Sequence, residues 1–299
     1  MSAKTKEKNV AAVDPDELKK RSQWADVWRR LRRNKLAMLG MIIVALIVLM
    51  AIFANVLAPY PYDQIDLKNR FQMPNASHLL GTDNYGRDIL SRLIYGGRIS
   101  LLVSLLALVI SMGLGSLIGA LSGYFGGKTD TVIMRLVDVL QAIPGTLLAV
   151  CVSAMLGGGV WQTAIAIAIS GIAPSSRMMR ATALTIRGQE YIEAAQACGA
   201  STMRTIMTHV LPNCLAPIIV DTSLRLGGNI MMISGLSFIG LGVQPPTPEW
   251  GAILNAGREY IREFWPMITF PAIIIAITML GFNIFGDGLR DALDPKLKQ

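Results

Sequence analysis

Few residues in this chain are of a type that does chemistry, and their spacing argues against catalysis. His78 and His209 are the only histidines among 299 residues. A hydrolytic dyad needs a base poised beside its nucleophile, and the hydropathy pattern described below sends the two histidines to opposite faces of a membrane. Cys151, Cys198 and Cys214 have no paired spacing, so neither a disulfide nor a thiolate metal site is expected. Gly123-Tyr-Phe-Gly-Gly127-Lys128-Thr129 looks like a phosphate-cradling loop. That loop needs four residues between its outer glycines and has three here, and it would have to follow a strand. The segment reads instead as a tight turn. No catalytic residue, cofactor or metal is expected.

Two polar constellations remain, both with helical spacing. Asp221, Arg225 and Asn229 recur every four residues, so they share one helix face, with Arg225 near the middle of an apolar run. A charge at that depth costs about 2.5–3.5 kcal/mol, which an Asp–Arg pair one turn apart partly relieves. This face is expected either to line a path through the membrane or to bond a partner helix. The second constellation, Glu190-Tyr-Ile-Glu-Ala-Ala-Gln-Ala-Cys-Gly199, is a polar interruption between apolar spans. The residues from Ala183 to Cys198 are good helix formers, and Gly199 supplies a left-handed stop. Ser201 can cap a second helix, with Met203, Ile206, Met207, Val210 and Leu211 on one sticky face and Pro212 at its end. The expected product is a helix, a sharp bend and a shorter amphipathic helix. The small Ala194 and Ala195 allow close approach of a partner, and Glu193 offers it charge-assisted hydrogen bonds.

The elements that position these groups are membrane spans. Apolar residues make up 52% of the chain and charged ones 16%, and the mean hydropathy is +0.46. An ordinary soluble domain is less apolar and more charged. Candidate spans of about 20 mostly uncharged residues, enough to cross roughly 30 Å of hydrocarbon, number six and are of unequal quality, the third carrying Arg135 and Asp138 and the fifth Asp221, Arg225 and Asn229. They are Leu36–Ala58, Ile99–Ser122, Val132–Leu156, Val160–Met179, Leu215–Gly240 and Met267–Phe285. Pro174 is expected to break the fourth. The first is too long for a signal-peptide core and too far from the start, so it is read as an anchor.

Nineteen of the 28 Lys and Arg residues fall on the side of the N-terminal tail and seven on the other. By the positive-inside rule both termini and the Glu190 segment are cytoplasmic. The net charge of +8 then reflects topology and anionic lipid rather than nucleic acid, since no basic stretch is interleaved with aromatics. The organisation expected is a basic tail over 1–35, an anchor and outer loop over 36–98, and a core over 99–299 containing the bent segment at 183–212.

Several smaller features have structural readings. Ser111, Gly115, Gly119 and Gly123 form a small-residue seam for close helix packing. Arg135 and Asp138 are expected to pair locally, and Asn283 and Asp287 to be a polar pair at a helix end. The long Pro59–Arg98 loop, with balanced charges, is expected to fold against the bilayer or a docking protein. Trp250, after the proline run 245–248, is expected at the membrane interface.

The Glu-Ala-Ala segment with Gly199 and Leu211-Pro212-Asn213 resembles the coupling loop of permeases from ATP-driven importers of the ABC class. His78-Leu-Leu-Gly-Thr-Asp83, Gly86-Arg-Asp88, Gly97-Arg-Ile-Ser-Leu101, Gly240-Leu-Gly-Val-Gln-Pro-Pro-Thr-Pro-Glu-Trp-Gly251 and Phe282-Asn-Ile-Phe-Gly-Asp-Gly-Leu-Arg-Asp-Ala-Leu-Asp-Pro295 are similar to the peptide and nickel branch, nearest the second permease of dipeptide importers. The match runs from about residue 30 to the C-terminus.

Such a resemblance implies an all-α type I importer fold in the bacterial inner membrane. It implies a heterodimer with a second permease, two cytoplasmic ATPase subunits and an extracytoplasmic binding protein. Glu193, Ala194, Ala195 and Gly199 would form the ATPase-coupling site, and no ATP chemistry would lie on this chain. Dipeptides are the expected cargo, with nickel chelates or glutathione as alternatives. A secondary transporter is the rival reading, but the repeated broken helices it often carries are not found.

Overall fold

The computed structural model describes residues 23–293, and among these the regular structure is helical, with one isolated β-bridge between Thr82 and Asp88. Most of the basic tail and the last six residues lie outside the described range. Within the tail, α1 (Gln23–Arg33) stops at Asn34, whose side chain accepts from the N–H groups of Leu36 and Ala37, both at 3.1 Å. That cap satisfies two of the free donors that open α2 (Lys35–Ile52). A short α3 (Ala54–Leu57) follows a turn at Phe53, so the first expected run is two pieces.

Helix α4 (Ile89–Phe125) is 37 residues long, capped by Asp88, and starts ten residues before the run read from hydropathy. It passes straight through the expected boundary between residues 98 and 99. A turn at Gly126 and Gly127, with φ of +66° and +55°, leads into α5 (Gly127–Gln141), as the tight-turn reading of the Gly-Lys-Thr segment anticipated. Helix α6 (Gly145–Leu156) leaves α5 at 78°, with Pro144 at the break. The third expected span is therefore a bent pair, because Pro144 cannot donate to the α5 ladder and disfavours helix at Ile143.

Helix α7 (Val160–Arg187) runs unbroken past Pro174, contrary to expectation. It is clamped along its length by α4, so tertiary packing outweighs one missing hydrogen bond. The chain continues through α8 (Glu190–Ala197), α9 (Thr202–Thr205) and α10 (Leu211–Asn213) to α11 (Leu215–Phe238), α12 (Trp250–Gly257) and α13 (Pro266–Leu293).

Helices α2, α4 and α13 are long and apolar enough to cross a membrane by themselves, and the bent pairs α5–α6 and α9–α11 raise the number to five. The remaining expected span belongs to α7. Thr163, Ser175 and Ser176 of this helix are fully buried against protein, so it needs less lipid-facing apolar surface. The architecture is the all-α polytopic fold expected of an ABC importer permease.

The α4–α7 contact is the spine of the molecule. A Cβ at Gly115 would sit 2.5 Å from Ser175 Cβ, one at Gly119 would overlap the Ser176 carbonyl, and one at Gly123 would lie 2.8 Å from the Arg180 carbonyl. The small-residue seam is thus a backbone-to-backbone packing surface.

Other expectations are corrected. Asp138 pairs with Arg177 on α7 at 2.5 Å, not with Arg135. The carboxylate seeks a guanidinium across the helix interface rather than along its own helix. Trp250 is no interfacial residue: it is fully buried, donates from its indole to the Leu93 carbonyl at 2.9 Å, and lies against Gly96 and Gly97. The Pro59–Arg98 loop is folded, as expected, with Thr82, Asp83, Arg87, Asp88 and Arg92 all buried and Phe71 packed on Tyr260 and Phe264.

Candidate functional site

The bent segment at 183–212 is assembled from five short pieces. Helix α7 ends at Arg187, and after Gly188 and Gln189 the chain restarts as α8, so the single helix expected up to Cys198 is in fact two. Gly199 takes φ +81°, its N–H bonds to the Gln196 carbonyl at 2.9 Å, and the N–H of Ala200 reaches the Ala195 carbonyl at 3.1 Å. These are the crossed bonds of a left-handed C-terminal cap, which a side chain at Gly199 would strain. Ser201 then accepts from the N–H of Arg204 at 3.4 Å and opens α9.

A π-helical turn, Ile206–Val210, joins α9 to α10. Pro212 does not end this helix, as expected from its type, but sits in the first turn of α10, where a missing N–H costs little. The bend follows it: the stretch Thr202–Asn213 meets the remainder of α11 at 65°.

An apolar plug fixes the hook to the bundle. Ile192, Ile206, Val210 and Cys214 are fully buried against Tyr124, Met179, Ala183 and Ile186. Burial of each aliphatic side chain contributes about 1.5–3 kcal/mol. Gln196 adds a 2.7 Å hydrogen bond to the Tyr124 hydroxyl, and Arg187 donates to the Phe125 carbonyl at 3.4 Å. One turn up the stem, Arg180 binds Asp130 of α5 through both Nε and Nη2, at 2.5 Å each, and Ser122 donates to the same carboxylate. Two guanidinium–carboxylate bridges, Arg180–Asp130 and Arg177–Asp138, therefore tie α7 to α5. Sequence reasoning missed both, because the partners are 50 and 39 residues apart.

The opposite side of the hook is open. Glu193, Ala194 and Gly199 are exposed and Ala195 is half-buried. Glu193 enters none of the ion pairs among the described residues. Tyr191 is 43% exposed, and Met203 and Met207 are 54% and 53% exposed. The apolar period had placed both methionines on the same face as Ile206 and Val210. Instead the π turn and the sharp entry divide the stripe, with the branched residues inward and the flexible methionines outward. An exposed patch of Tyr, Met and Ala beside Glu190 and Glu193, neither ion-paired among the described residues, is suited to a protein partner.

The other constellation lies elsewhere. Arg225 Nε donates to Asp221 Oδ2, as the spacing anticipated, and both side chains are about one-quarter exposed. Asn229 turns to α4 and donates to the Ser104 carbonyl at 3.4 Å. The three share a helix face, but Asn229 bonds within the chain while the ion pair stays partly open. Asn283 approaches the backbone of α11, with Oδ1 3.2 Å from where a Cβ at Gly227 would lie.

The chain is similar to known proteins over nearly its whole length. Residues 115–299 match the family described as the binding-protein-dependent transport system inner membrane component. Residues 22–74 match the N-terminal membrane domain of oligopeptide transport permease C. The chain is 42% identical over 277 residues to a dipeptide transport system permease of Alkalihalophilus pseudofirmus, covering 93% of this chain and 91% of that one. It is 44% identical over 287 residues to a glutathione transport system permease of Escherichia coli, covering 96% and 94%. It is 43% identical over 296 residues to a di/tripeptide transport system permease of Pseudomonas aeruginosa, covering 97% of each.

Proposed function

We propose, from the premise that this chain belongs to the family of binding-protein-dependent transport system inner membrane components, that α8 is the contact through which an ATPase on another chain drives transport of short peptides. The observation that carries this reading is the two-sidedness of the hook: Ile192 plugged into the bundle and Glu193 and Ala194 open beside it. A push on α8 reaches α7 through a buried apolar contact rather than a loop. From α7 it passes to α5 through the Arg177 and Arg180 bridges. Alternating access then amounts to rocking α5 and α7 as one body.

In this reading the chain is one of two related permeases, paired with two cytoplasmic ATPase subunits and an extracytoplasmic binding protein, with both termini and the hook facing the cytoplasm. ATP hydrolysis is assigned to the separate subunits. The division proposed is a tail, an anchor with its outer loop, and a core, with α4 carrying the outer loop into the core without a break at residue 98. The Asp221–Arg225 pair, with Asn229, is assigned to the wall of the path. Short peptides are proposed as cargo because relatives at 42–44% identity carry dipeptide, di/tripeptide or glutathione in their names, and these share a peptide backbone and a free carboxylate. Glutathione is the second reading, supported by its relative at 44%.

The test is a cross-link. With Ala194→Cys in an assembled transporter whose native Cys151, Cys198 and Cys214 are replaced by serine or alanine, a short bifunctional thiol reagent is expected to join this chain to an ATPase subunit carrying one engineered cysteine, in yield that changes on adding ATP. Val56→Cys, 81% exposed beside the other end of α4, is the control and is expected to give none. Equal cross-linking at both positions, or none at 194, would remove the coupling role.

A further inference from the structure

Asn84, Tyr85 and Arg87, in and beside the Gly-Arg-Asp motif, line a cavity that the coupling hook does not use. Its volume is about 560 Å³. It lies at the Ile89 end of α4, roughly 50 Å along that helix from the hook's anchor at Tyr124, counting 1.5 Å per residue.

Arg87 and Arg92 line this cavity with side chains only 9% and 5% exposed. A single carboxylate serves both. Asp83 Oδ2 accepts from Arg87 Nε at 2.7 Å and lies 3.6 Å from Arg92 Nε. Asp83 Oδ1 is already occupied by the N–H groups of Tyr85 and Arg87, at 2.8 and 2.9 Å. Arg92 Nη1 donates to the Tyr62 carbonyl at 3.2 Å. Both Nη atoms of Arg87 and Nη2 of Arg92 find no protein acceptor among the described residues.

Two guanidiniums over one carboxylate leave a buried positive excess, which is costly unless an anion answers it. Arg258 at the exposed rim adds a third positive group. Acceptors are present too: Glu259 lines the mouth, and Asn84 Oδ1 is buried with no hydrogen-bond partner. A ligand that satisfies this set has a carboxylate at one end and N–H groups a few ångströms away.

We infer that the cavity is a resting site for a short peptide, with its free C-terminal carboxylate on Arg87 and Arg92 and its N–H groups toward Asn84 and Glu259. The inference rests on the peptide reading of function above. The volume suits a ligand of two or three residues. Arg–carboxylate pairing supplies orientation through its fixed fork of donors.

The experiment titrates dialanine, and dialanine amide as the carboxylate-free probe, into the assembled transporter in lipid nanodiscs without its binding protein. Saturation-transfer NMR reads the binding. Dialanine is expected to bind about tenfold more tightly than the amide, the worth of a charged hydrogen-bonded pair. Asn84→Leu removes an acceptor that no protein donor uses, and is expected to weaken dialanine binding about fivefold, the worth of one hydrogen bond, while assembly is retained. Arg258→Gln is expected to weaken it two- to fivefold, roughly the share of one exposed ion pair. Equal binding of the two probes, or indifference to Asn84→Leu in an assembled complex, would overturn the inference. Failure of dialanine to bind while Arg258→Gln loosens the binding protein would assign the cavity to an acidic protein side chain instead, and also overturn it. Substitutions in the hook should leave this binding untouched, so the two readings fail separately.

Discussion

The two ends of α4 are built from opposite materials. At the Ile89 end the chain closes around charge: Asp83 gathers two backbone N–H groups and two arginines, and His78 Nδ1 lies 3.0 Å from Asp88 Oδ1. At the Phe125 end a plug of Ile192, Ile206 and Val210 holds a segment whose outer face carries unused polar and thioether groups. Directional bonds among buried charges fix one geometry, whereas apolar burial is non-directional and tolerates a small tilt. The closed end suits a rigid vestibule, and the apolar joint suits a part that is pushed.

The comparison breaks most visibly at Asp83. Asp83→Ala leaves Arg87 and Arg92 without their carboxylate, and losing one partner of a buried charge set costs about 3–5 kcal/mol. The expected outcome is a lower melting temperature in detergent and less inserted protein; unchanged stability would show that the arginines are solvated rather than held. Ile206→Ala should cost about 2–5 kcal/mol at the other end. Hydrogen exchange is expected to rise across 190–212 while the segment 78–92 keeps its protection, and a rise at both ends would deny that the two are separately built.

Much of the fold was legible because hydropathy acts locally. Helix α2 and the middles of α4 and α13 are apolar runs, and the Gly115–Gly119–Gly123 seam announces its packing by spacing alone. The break before α6 was not read, since the apolar character continues on both sides of Pro144 and hydropathy carries no angle. Trp250 was misplaced because its slot is made by Gly96 and Gly97 on another helix, which no local pattern reveals. In the hook, the bend at Gly199 was visible from residue types, but Gln196–Tyr124 and Arg180–Asp130 were not, being pairings across 72 and 50 residues.

A smaller effect sharpens the contrast at the bend itself. Gly199 holds φ +81°, and Gly199→Ala should cost about 1–2 kcal/mol in a left-handed conformation, with nothing within 4 Å to clash. Its expected signature is faster exchange at Gly199–Ser201 with little change in global melting. A large loss of stability would mean that the bend belongs to the folding core rather than to the lever.

The most direct test of the hook as lever is ATP-driven uptake of a labelled dipeptide into vesicles reconstituted with the whole transporter carrying Glu193→Arg. Reversing this exposed charge should leave the bundle folded and assembled while uptake falls about tenfold or more, the effect of turning a charge-assisted hydrogen bond into repulsion. Uptake equal to that of the unmodified protein, with ATP consumption still tied to transport, would contradict the proposal that α8 carries the drive.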